Sequence, residues 1–251
     1  MTPYPLMYHD VVVPGGEDAS GFAGPAAARY KLTPDQFGEH LRAIARAVDT
    51  PPLLTFDDGG ASAMRVADAL ERAGWRGMFF VTAAYIDQPG FLTLAQMRDL
   101  RRRGHTIGTH SWSHPAGMFR LSPAELAAEW QRSTEALSEA LGERILAASV
   151  PGGSYSRRVG DAVAAAGVHV LFTSRPAGAS VRHGSLTIAG RYAVRRTTTA
   201  RRAAAVASGA VLPRIAQLAW WDTKAALKSI GASLGARPGR IRRPHGRSAP
   251  A

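Results

Sequence analysis

The sequence of 251 residues predicts an α/β fold with largely parallel strands, and two observations support this prediction. Between residues 52 and 190, short apolar runs alternate with amphipathic helical stretches. Strands and helices iterated in this way form a parallel sheet, either closed into a barrel or open, and spacing alone does not separate the two. Glycines end the predicted helices, at Gly74, Gly104, Gly142 and Gly167. In either architecture, functional side chains lie at the carboxyl ends of the strands.

The predicted elements follow from local composition. Five apolar runs have the length of buried strands, and the stretches between them have helical periodicity. Ser122 and Glu125 form a capping box at the start of a long helix, with Pro123 at its first position. The predicted strands are Pro52–Phe56, Gly77–Thr82, His105–Gly108, Ile145–Val150 and Val168–Thr173, and the predicted helices are Ala63–Ala73, Leu94–Arg103, Ser122–Gly142 and Arg157–Ala166.

Composition excludes several classes of protein. The absence of cysteine excludes disulfide scaffolds and cysteine-based zinc sites. The net charge of +12 is confined to the end of the chain, because residues 191–251 carry 13 Lys and Arg against one acid, Asp222. Residues 1–190 carry 18 charges of each sign, so any partner chosen by charge alone would contact the tail. The start has no basic leader followed by an apolar core, and we expect a cytoplasmic protein.

Two adjacent carboxylates, Asp57 and Asp58, stand where the first predicted strand ends. Neighbouring strand residues point to opposite faces, so both acids reach one site only if the strand is ending there. Gly59 and Gly60 permit the turn that this requires. The alternative is that one of the acids caps the following helix.

Two histidines, His110 and His114, follow the third predicted strand. If the segment after His110 makes one helical turn, both imidazoles lie on one face and can bind the same ion. Alone, this spacing is more typical of a pair of surface or core histidines than of a metal site. Combined with an aspartate at a neighbouring strand end, it predicts a catalytic zinc triad with one open position.

The motifs TFDDG and GHTIGTHSWSH, followed by the turn VPGG, resemble the polysaccharide deacetylase family, also called the NodB-homology or carbohydrate esterase family 4 group. The opening MYHDV also resembles the poly-N-acetylglucosamine deacetylase branch. The resemblance implies a distorted (β/α) barrel and metal-dependent hydrolysis of N-acetyl groups on an amino sugar. It further implies Asp58, His110 and His114 as ligands of a divalent metal, preferably zinc, and Asp57 as general base.

Other parts of the family pattern are incomplete. Gly152, in the Pro-Gly turn, is our candidate for a backbone donor to the oxyanion, although the turn has an equally good structural explanation. The family commonly has an arginine two residues before Pro151, and this chain has Ser149. Arg175 is the candidate replacement. For the general acid we select His183, whose alternative is a solvated loop histidine.

The chain beyond residue 200 forms two further predicted segments. We predict a deacetylase-like domain at residues 1–200, an amphipathic basic helix at 201–235 and a disordered basic tail at 236–251. Leu212 and Ile215 lie on one helix face, and Arg214 and Gln217 on another. Either the apolar face packs on the barrel with the charged side in water, or the helix contacts an anionic membrane.

We therefore expect a sugar N-deacetylase acting on a polysaccharide or on a lipid-linked or nucleotide-linked amino sugar, with peripheral contact at the inner membrane face. Three alternatives remain. The metal chemistry could open a cyclic amide or imide, with Trp112 or Tyr155 in the pocket. Without an acid, the chain could be a non-catalytic carbohydrate binder. The basic tail could bind nucleic acid by charge, although no sequence-specific motif is present.

Overall fold

The structure is a computed structural model that describes residues 4–153, 155–176 and 179–233, with side chains described as far as residue 223. The strands are β1 (Leu6–Tyr8), β2 (Leu54–Phe56), β3 (Gly77–Val81), β4 (Thr106–Thr109), β5 (Ala147–Ser149), β6 (Val170–Thr173), β7 (Val181–His183), β8 (Leu186–Gly190) and β9 (Tyr192–Ala193). The helices are α1 (Pro25–Ala28), α2 (Pro34–Ala47), α3 (Ala63–Arg72), α4 (Leu94–Arg102), α5 (Pro123–Leu141), α6 (Arg157–Ala165), α7 (Ala200–Ala207) and α8 (Val211–Ser233).

The described strands form one sheet in the order β7-β8-β6-β5-β4-β3-β2-β1-β9. Every neighbouring pair is parallel except β7 and β8, which are antiparallel. The sheet and its helices make a mixed α/β half-barrel, which confirms the predicted fold class. Because seven consecutive pairs are parallel, their carboxyl ends share one edge of the sheet.

The core is built where the alternating pattern predicts it. The five predicted strands correspond to β2 through β6, and their bounds agree with the predicted ones to within two residues at each end. Phe56 of β2 stacks on Phe79 of β3, and Leu70 of α3 is completely buried in the same cluster. Strands β1, β7, β8 and β9 are not among the predicted strands. Of these, β1 pairs with both β2 and β9, so the start of the chain lies inside the sheet.

The longest described helix of the sheet layer, α5, begins as its sequence predicts. The side chain of Ser122 accepts a hydrogen bond from the backbone N–H of Glu125, and the Glu125 carboxylate accepts one from the backbone N–H of Ser122. Pro123 occupies the first turn, and Gly142 ends the helix in the left-handed conformation, with φ of 70°. Leu126, Trp130 and Leu137 are completely buried on one side of the helix.

The C-terminal helices differ from the prediction in two respects. Contacts divide the chain into residues 1–218 and 219–251, whereas the predicted boundary was residue 200. Ala203 and Ala207 of α7 are buried in the first unit, which explains the later boundary. Within that unit, the polar face of α8 packs inward and its apolar face is exposed, the reverse of the predicted packing.

The tail at 236–251 lies outside the described residues. No described helix is long and apolar enough to span a membrane.

The capping box of α5 provides a test of local stability. We expect Ser122→Ala to lower the free energy of unfolding by about 1 kcal/mol, because the N–H of Glu125 loses its acceptor. Chemical denaturation measures the change. Glu139→Ala, an exposed substitution on the same helix, is the control and should change stability by less than about 0.5 kcal/mol. Equal effects of the two substitutions would show that the cap contributes nothing.

Candidate metal centre

The candidate site lies at the carboxyl edge of the parallel strands. His9 follows β1, Asp57 and Asp58 follow β2, and His110 follows β4. The end of β5 contributes Ser149. These residues are distant in sequence and adjacent in space, because parallel strands that begin on one side of a sheet all end on the other.

The turn after β2 directs both carboxylates into the site. Asp58 has φ of 80°, and Gly59 also has φ of 80°, so the chain reverses immediately after Asp57. A left-handed conformation at a residue other than glycine is strained by roughly 1–2 kcal/mol, and such strain is concentrated at functional sites. Ser62 immediately precedes α3, and no side chain caps the start of this helix. Neither aspartate therefore caps this helix.

His110 and His114 converge on Asp58, but not through the predicted helical turn. Ser111 and His114 have φ of 65° and 55°, so the segment is a kinked loop. Asp58 Oδ1 lies 3.4 Å from His110 Nε2 and 3.5 Å from His114 Nε2. The three ligand atoms all lie within 4.8 Å of one another. The loop geometry corrects the helical-turn prediction, yet it brings the same two imidazoles together.

The donor set fits a divalent metal ion. Tetrahedral zinc with ligands about 2.0–2.2 Å away requires ligand atoms roughly 3.3–3.6 Å apart, which agrees with both separations above. His110 Nδ1 donates a hydrogen bond to the Ser149 carbonyl at 2.8 Å. Metal-binding histidines commonly have such a bond, which fixes the ring and leaves Nε2 free to bind the ion.

The charges around the centre favour the ligand forms of Asp58 and His114. Burial alone would raise the pKa of Asp58, but the imidazoles around it, first of all His110 through its hydrogen bond, lower it well below its ordinary value. Burial lowers the pKa of His114 to about 4, so this imidazole is neutral at neutral pH. Burial would also lower the pKa of His110, whereas the charges of Asp57 and Asp58 outweigh it and raise the pKa.

Asp57 is held by an arginine that the sequence analysis missed. Arg191 Nη1 and Nη2 donate to the two carboxylate oxygens of Asp57, at 2.7 and 2.9 Å. Ser149 Oγ accepts from Arg191 Nη2 at 2.6 Å and donates to Asp57 Oδ2 at 2.9 Å. Burial would raise the pKa of Asp57, but the charge of Arg191 outweighs it and lowers the pKa. Asp57 is therefore an oriented carboxylate.

Arg191, and not Arg175, thus orients Asp57. Arg191 directly follows β8, whereas Arg175 follows β6, and the backbone N–H of Arg175 donates a hydrogen bond to Thr173 Oγ1. A sequence signal for Arg191 did exist, since this cation stands within the apolar run LTIAGRYAV. A completely buried arginine requires an acidic partner, but the sequence does not show which acid it is.

His9 also lies in the site and was missed as a functional residue. Tyr8 of β1 pairs with Phe56 of β2, so His9 and Asp57 are the next residues at the ends of two neighbouring parallel strands. Its ring packs on Tyr30, with centroids 4.7 Å apart. Among the described residues, its buried Nδ1 has no hydrogen-bond partner. The MYHDV segment carried the family resemblance, but no chemical role was assigned to its histidine.

His183 lies elsewhere, which corrects its selection as general acid. It pairs with Leu186, the first residue of β8, because β7 is antiparallel to β8. His183 is therefore at the amino end of the parallel strands, opposite the candidate centre. Its Nε2 bonds to Asp161 Oδ1 at 2.6 Å.

Gly152, by contrast, follows β5 at the carboxyl edge, in an exposed turn with φ of 66°. Its role as an oxyanion donor stays a prediction.

A family model described as Polysaccharide deacetylase matches residues 49–171. The matched segment includes Asp57, Asp58, His110 and His114 in the arrangement described above. Residues 49–171 therefore belong to the polysaccharide deacetylase family. His9 and Arg191 lie outside the matched segment, although the fold brings both to the deacetylase site.

Solved structures support the fold of this deacetylase domain. The Streptococcus pyogenes deacetylase PplD in complex with acetate is 18% identical, with a TM-score of 0.67 over 82% of this chain and 98% of that one. IcaB from Ammonifex degensii is 20% identical, with a TM-score of 0.65 over 83% and 99%. A polysaccharide deacetylase from Bacillus cereus is 18% identical, with a TM-score of 0.67 over 81% and 68%.

A curated relative is similar over part of the deacetylase chain. The "Uncharacterized 30.6 kDa protein in fumA 3'region" of Geobacillus stearothermophilus is 30% identical over 108 residues. This segment covers 42% of the present chain and 39% of the relative. The chain thus matches well under half of that protein, and the similarity concerns the domain alone.

The ion pair of Arg191 and Asp57 gives a prediction about the stability of the deacetylase domain. We expect Arg191→Met to lower the free energy of unfolding by roughly 3–5 kcal/mol, because it leaves a buried carboxylate without its counter-charge. The double variant Arg191→Met, Asp57→Asn should recover most of this loss. Chemical denaturation measures both.

The control for this prediction is Arg196→Met, which removes an exposed ion pair with Glu17. We expect that substitution to lower the free energy of unfolding by less than about 1 kcal/mol. If Arg191→Met costs no more than the control, the buried pair does not stabilise the domain.

Proposed function

We propose that this chain is a metal-dependent N-deacetylase that releases acetate from an amino sugar of a polysaccharide or of its lipid-linked or nucleotide-linked precursor. The family assignment places the domain among hydrolases that deacetylate polysaccharides and act on carbon–nitrogen bonds. The observation that carries the finer proposal is the convergence of Asp58, His110 and His114, with the oriented carboxylate of Asp57 beside them.

The three converging side chains would hold the ion, with Asp58 through an oxygen and the two histidines through Nε2. When bound, a divalent cation supplies Lewis acidity that polarises an amide carbonyl and makes water acidic enough to lose a proton near neutral pH. Zinc is our first choice, because one carboxylate and two imidazoles are a common catalytic zinc set.

Asp57 is proposed as the general base. Arg191 keeps its carboxylate ionised and fixes its orientation, and the turn after Phe56 brings it next to Asp58. It accepts a proton from the water whose oxygen attacks the carbonyl carbon of the N-acetyl group. The ligand and the base therefore have separate roles, although they are consecutive residues.

His9 is proposed as the general acid, in place of His183. It lies on the same side of the sheet as both aspartates, and its buried Nδ1 is without a partner among the described residues. Collapse of the tetrahedral intermediate breaks the carbon–nitrogen bond, and His9 donates a proton to the leaving amine. The backbone N–H of Gly152 is proposed to donate to the oxyanion that forms before this step.

The proposed substrate class is based on the MYHDV segment. The MYHDV segment, which resembles the poly-N-acetylglucosamine deacetylase branch, forms β1 and delivers His9 to the site. The similarity in fold to IcaB is consistent with this branch. We propose β-linked N-acetylglucosamine oligomers as the first substrate to test.

Two alternative functions can be distinguished from N-deacetylation by direct assays. A cyclic amide or imide hydrolase would open a ring without releasing acetate. A non-catalytic carbohydrate binder was motivated by the lack of an acid and by Ser149, and His9 and Arg191 now provide candidates for both missing parts. Assays of acetate release and of ring opening on the same preparation separate these functions.

The test of the metal site combines metal content with activity. We expect the purified full chain to retain about one equivalent of zinc or another divalent metal and to release acetate from N-acetylglucosamine oligomers. His110→Ala should lose both, since one ligand is removed. His169→Ala, which removes an exposed histidine, is the matched control and should lose neither.

Metal retention by folded His110→Ala would contradict the ligand assignment. Full metal content without acetate release or ring opening would contradict the catalytic proposal and favour the binding function. Circular dichroism before each assay shows whether the variants are folded.

The role of His9 has a separate prediction. We expect His9→Gln to lower kcat for acetate release by roughly a hundredfold or more while leaving the metal content unchanged, because it removes a proton donor and no ligand. His169→Gln is the control at an exposed site. A loss of metal together with activity would instead make His9 part of the ion's ligand set.

A further inference from the structure

The first turns of α8 are oriented with their apolar face outward. Leu212 is 80% exposed, Ile215 is 54% exposed and Val211 is 50% exposed. These three residues, here called the α8 apolar face, all belong to the unit formed by residues 1–218. Side chains of this kind are normally the part of an amphipathic helix that packs against the protein.

Polar side chains hold the opposite face of α8 against the domain. Gln217 Nε2 donates to the Ala193 carbonyl and Gln217 Oε1 accepts from the Ala193 N–H, both at 2.8 Å. The Arg214 guanidinium lies over the ring of Tyr4, 4.5 Å from its centroid. The two hydrogen bonds of Gln217 satisfy both groups of an edge-strand residue. The outward direction of Leu212 and Ile215 is therefore fixed by specific contacts on the other side of the helix.

The charge of the surrounding sequence decides which partner suits this face. Residues 200–251 carry 10 Lys and Arg and a single acid, and Lys224 and Lys228 belong to α8 itself. A second copy of the chain would bring two strongly basic segments together, which is unfavourable. Nucleic acid would attract the cations but leave the apolar side chains in water. An anionic lipid surface accommodates both features, since apolar residues enter the interface and cations contact the headgroups.

We propose that the α8 apolar face docks on an anionic phospholipid surface, to which the positive net charge of the sequence around it attracts the chain. The apolar pattern continues in the sequence at Leu227 and Ile230. This docking would hold the domain at a membrane surface, and it does not depend on which sugar the domain acts on.

Vesicle flotation of the full chain tests the proposal. We expect the chain to bind phosphatidylcholine/phosphatidylglycerol vesicles at least about tenfold more tightly than pure phosphatidylcholine vesicles, with binding weakened by salt. Leu212→Glu, Ile215→Glu should lower the affinity for the mixed vesicles by at least about tenfold, because two carboxylates replace inserted apolar groups.

The matched control is Val13→Glu, Val181→Glu, which makes the same charge change at residues that are 53% and 60% exposed elsewhere on the domain. We expect it to change affinity by no more than about twofold. If the α8 variant is poorly folded by circular dichroism, Leu212→Ser, Ile215→Ser replaces it and should also weaken binding.

Three outcomes overturn the proposal. Equal binding by the α8 variant and the control would show that charge alone draws the chain to lipid. Equal binding to the two vesicle types would remove the role of the anionic headgroups. A dimer in sedimentation experiments that Leu212→Glu, Ile215→Glu dissociates would identify a second copy as the occupant of this face.

Discussion

The bidentate pair between Arg191 and Asp57 is the interaction on which the candidate site depends. A completely buried guanidinium is tolerated only with an anionic partner, and a buried carboxylate beside Asp58 needs a cation. Each group thus stabilises the other in its buried position, and the Ser149 hydroxyl hydrogen-bonds to both. The pair connects the end of β2 with the segment between β8 and β9. Because it fixes the Asp57 carboxylate, Asp58 is left to face the two histidines.

The sequence predicted the fold class and the three converging ligand candidates because their signals are local. Strand and helix periodicity, helix-ending glycines and the capping box at Ser122 depend on neighbouring residues, and the structure has them nearly where they were expected. The parallel arrangement then brings Asp58, His110 and His114 to one edge without further information. The backbone conformation between His110 and His114 was predicted wrongly, since Ser111 and His114 adopt left-handed conformations that the composition does not indicate.

The missed parts depend on pairings between distant segments. Arg191 could be recognised as a buried cation, but its partner lies more than a hundred residues away in sequence. His9 belongs to the site only because β1 lies between β2 and β9, a strand order that the alternation after residue 52 does not encode. His183 was selected as the nearest remaining histidine, and the antiparallel direction of β7 puts it at the wrong end of the sheet. The orientation of α8 was predicted from apolar periodicity, whereas Gln217 and Ala193 determine it.

The position of β1 has a consequence for the order of folding. One neighbour of β1 is β2, and the other is β9, which is synthesised almost two hundred residues later. During translation, the first strand can therefore pair on one side only until the segment with Arg191 and β9 has left the ribosome. The acid candidate at the beginning of the chain and the cation near its end arrive at the same edge in the final stage of assembly. A nascent chain that ends before Arg191 would have the three ligand candidates but lack the arginine that orients Asp57, so the candidate site is complete only when the two distant segments have joined.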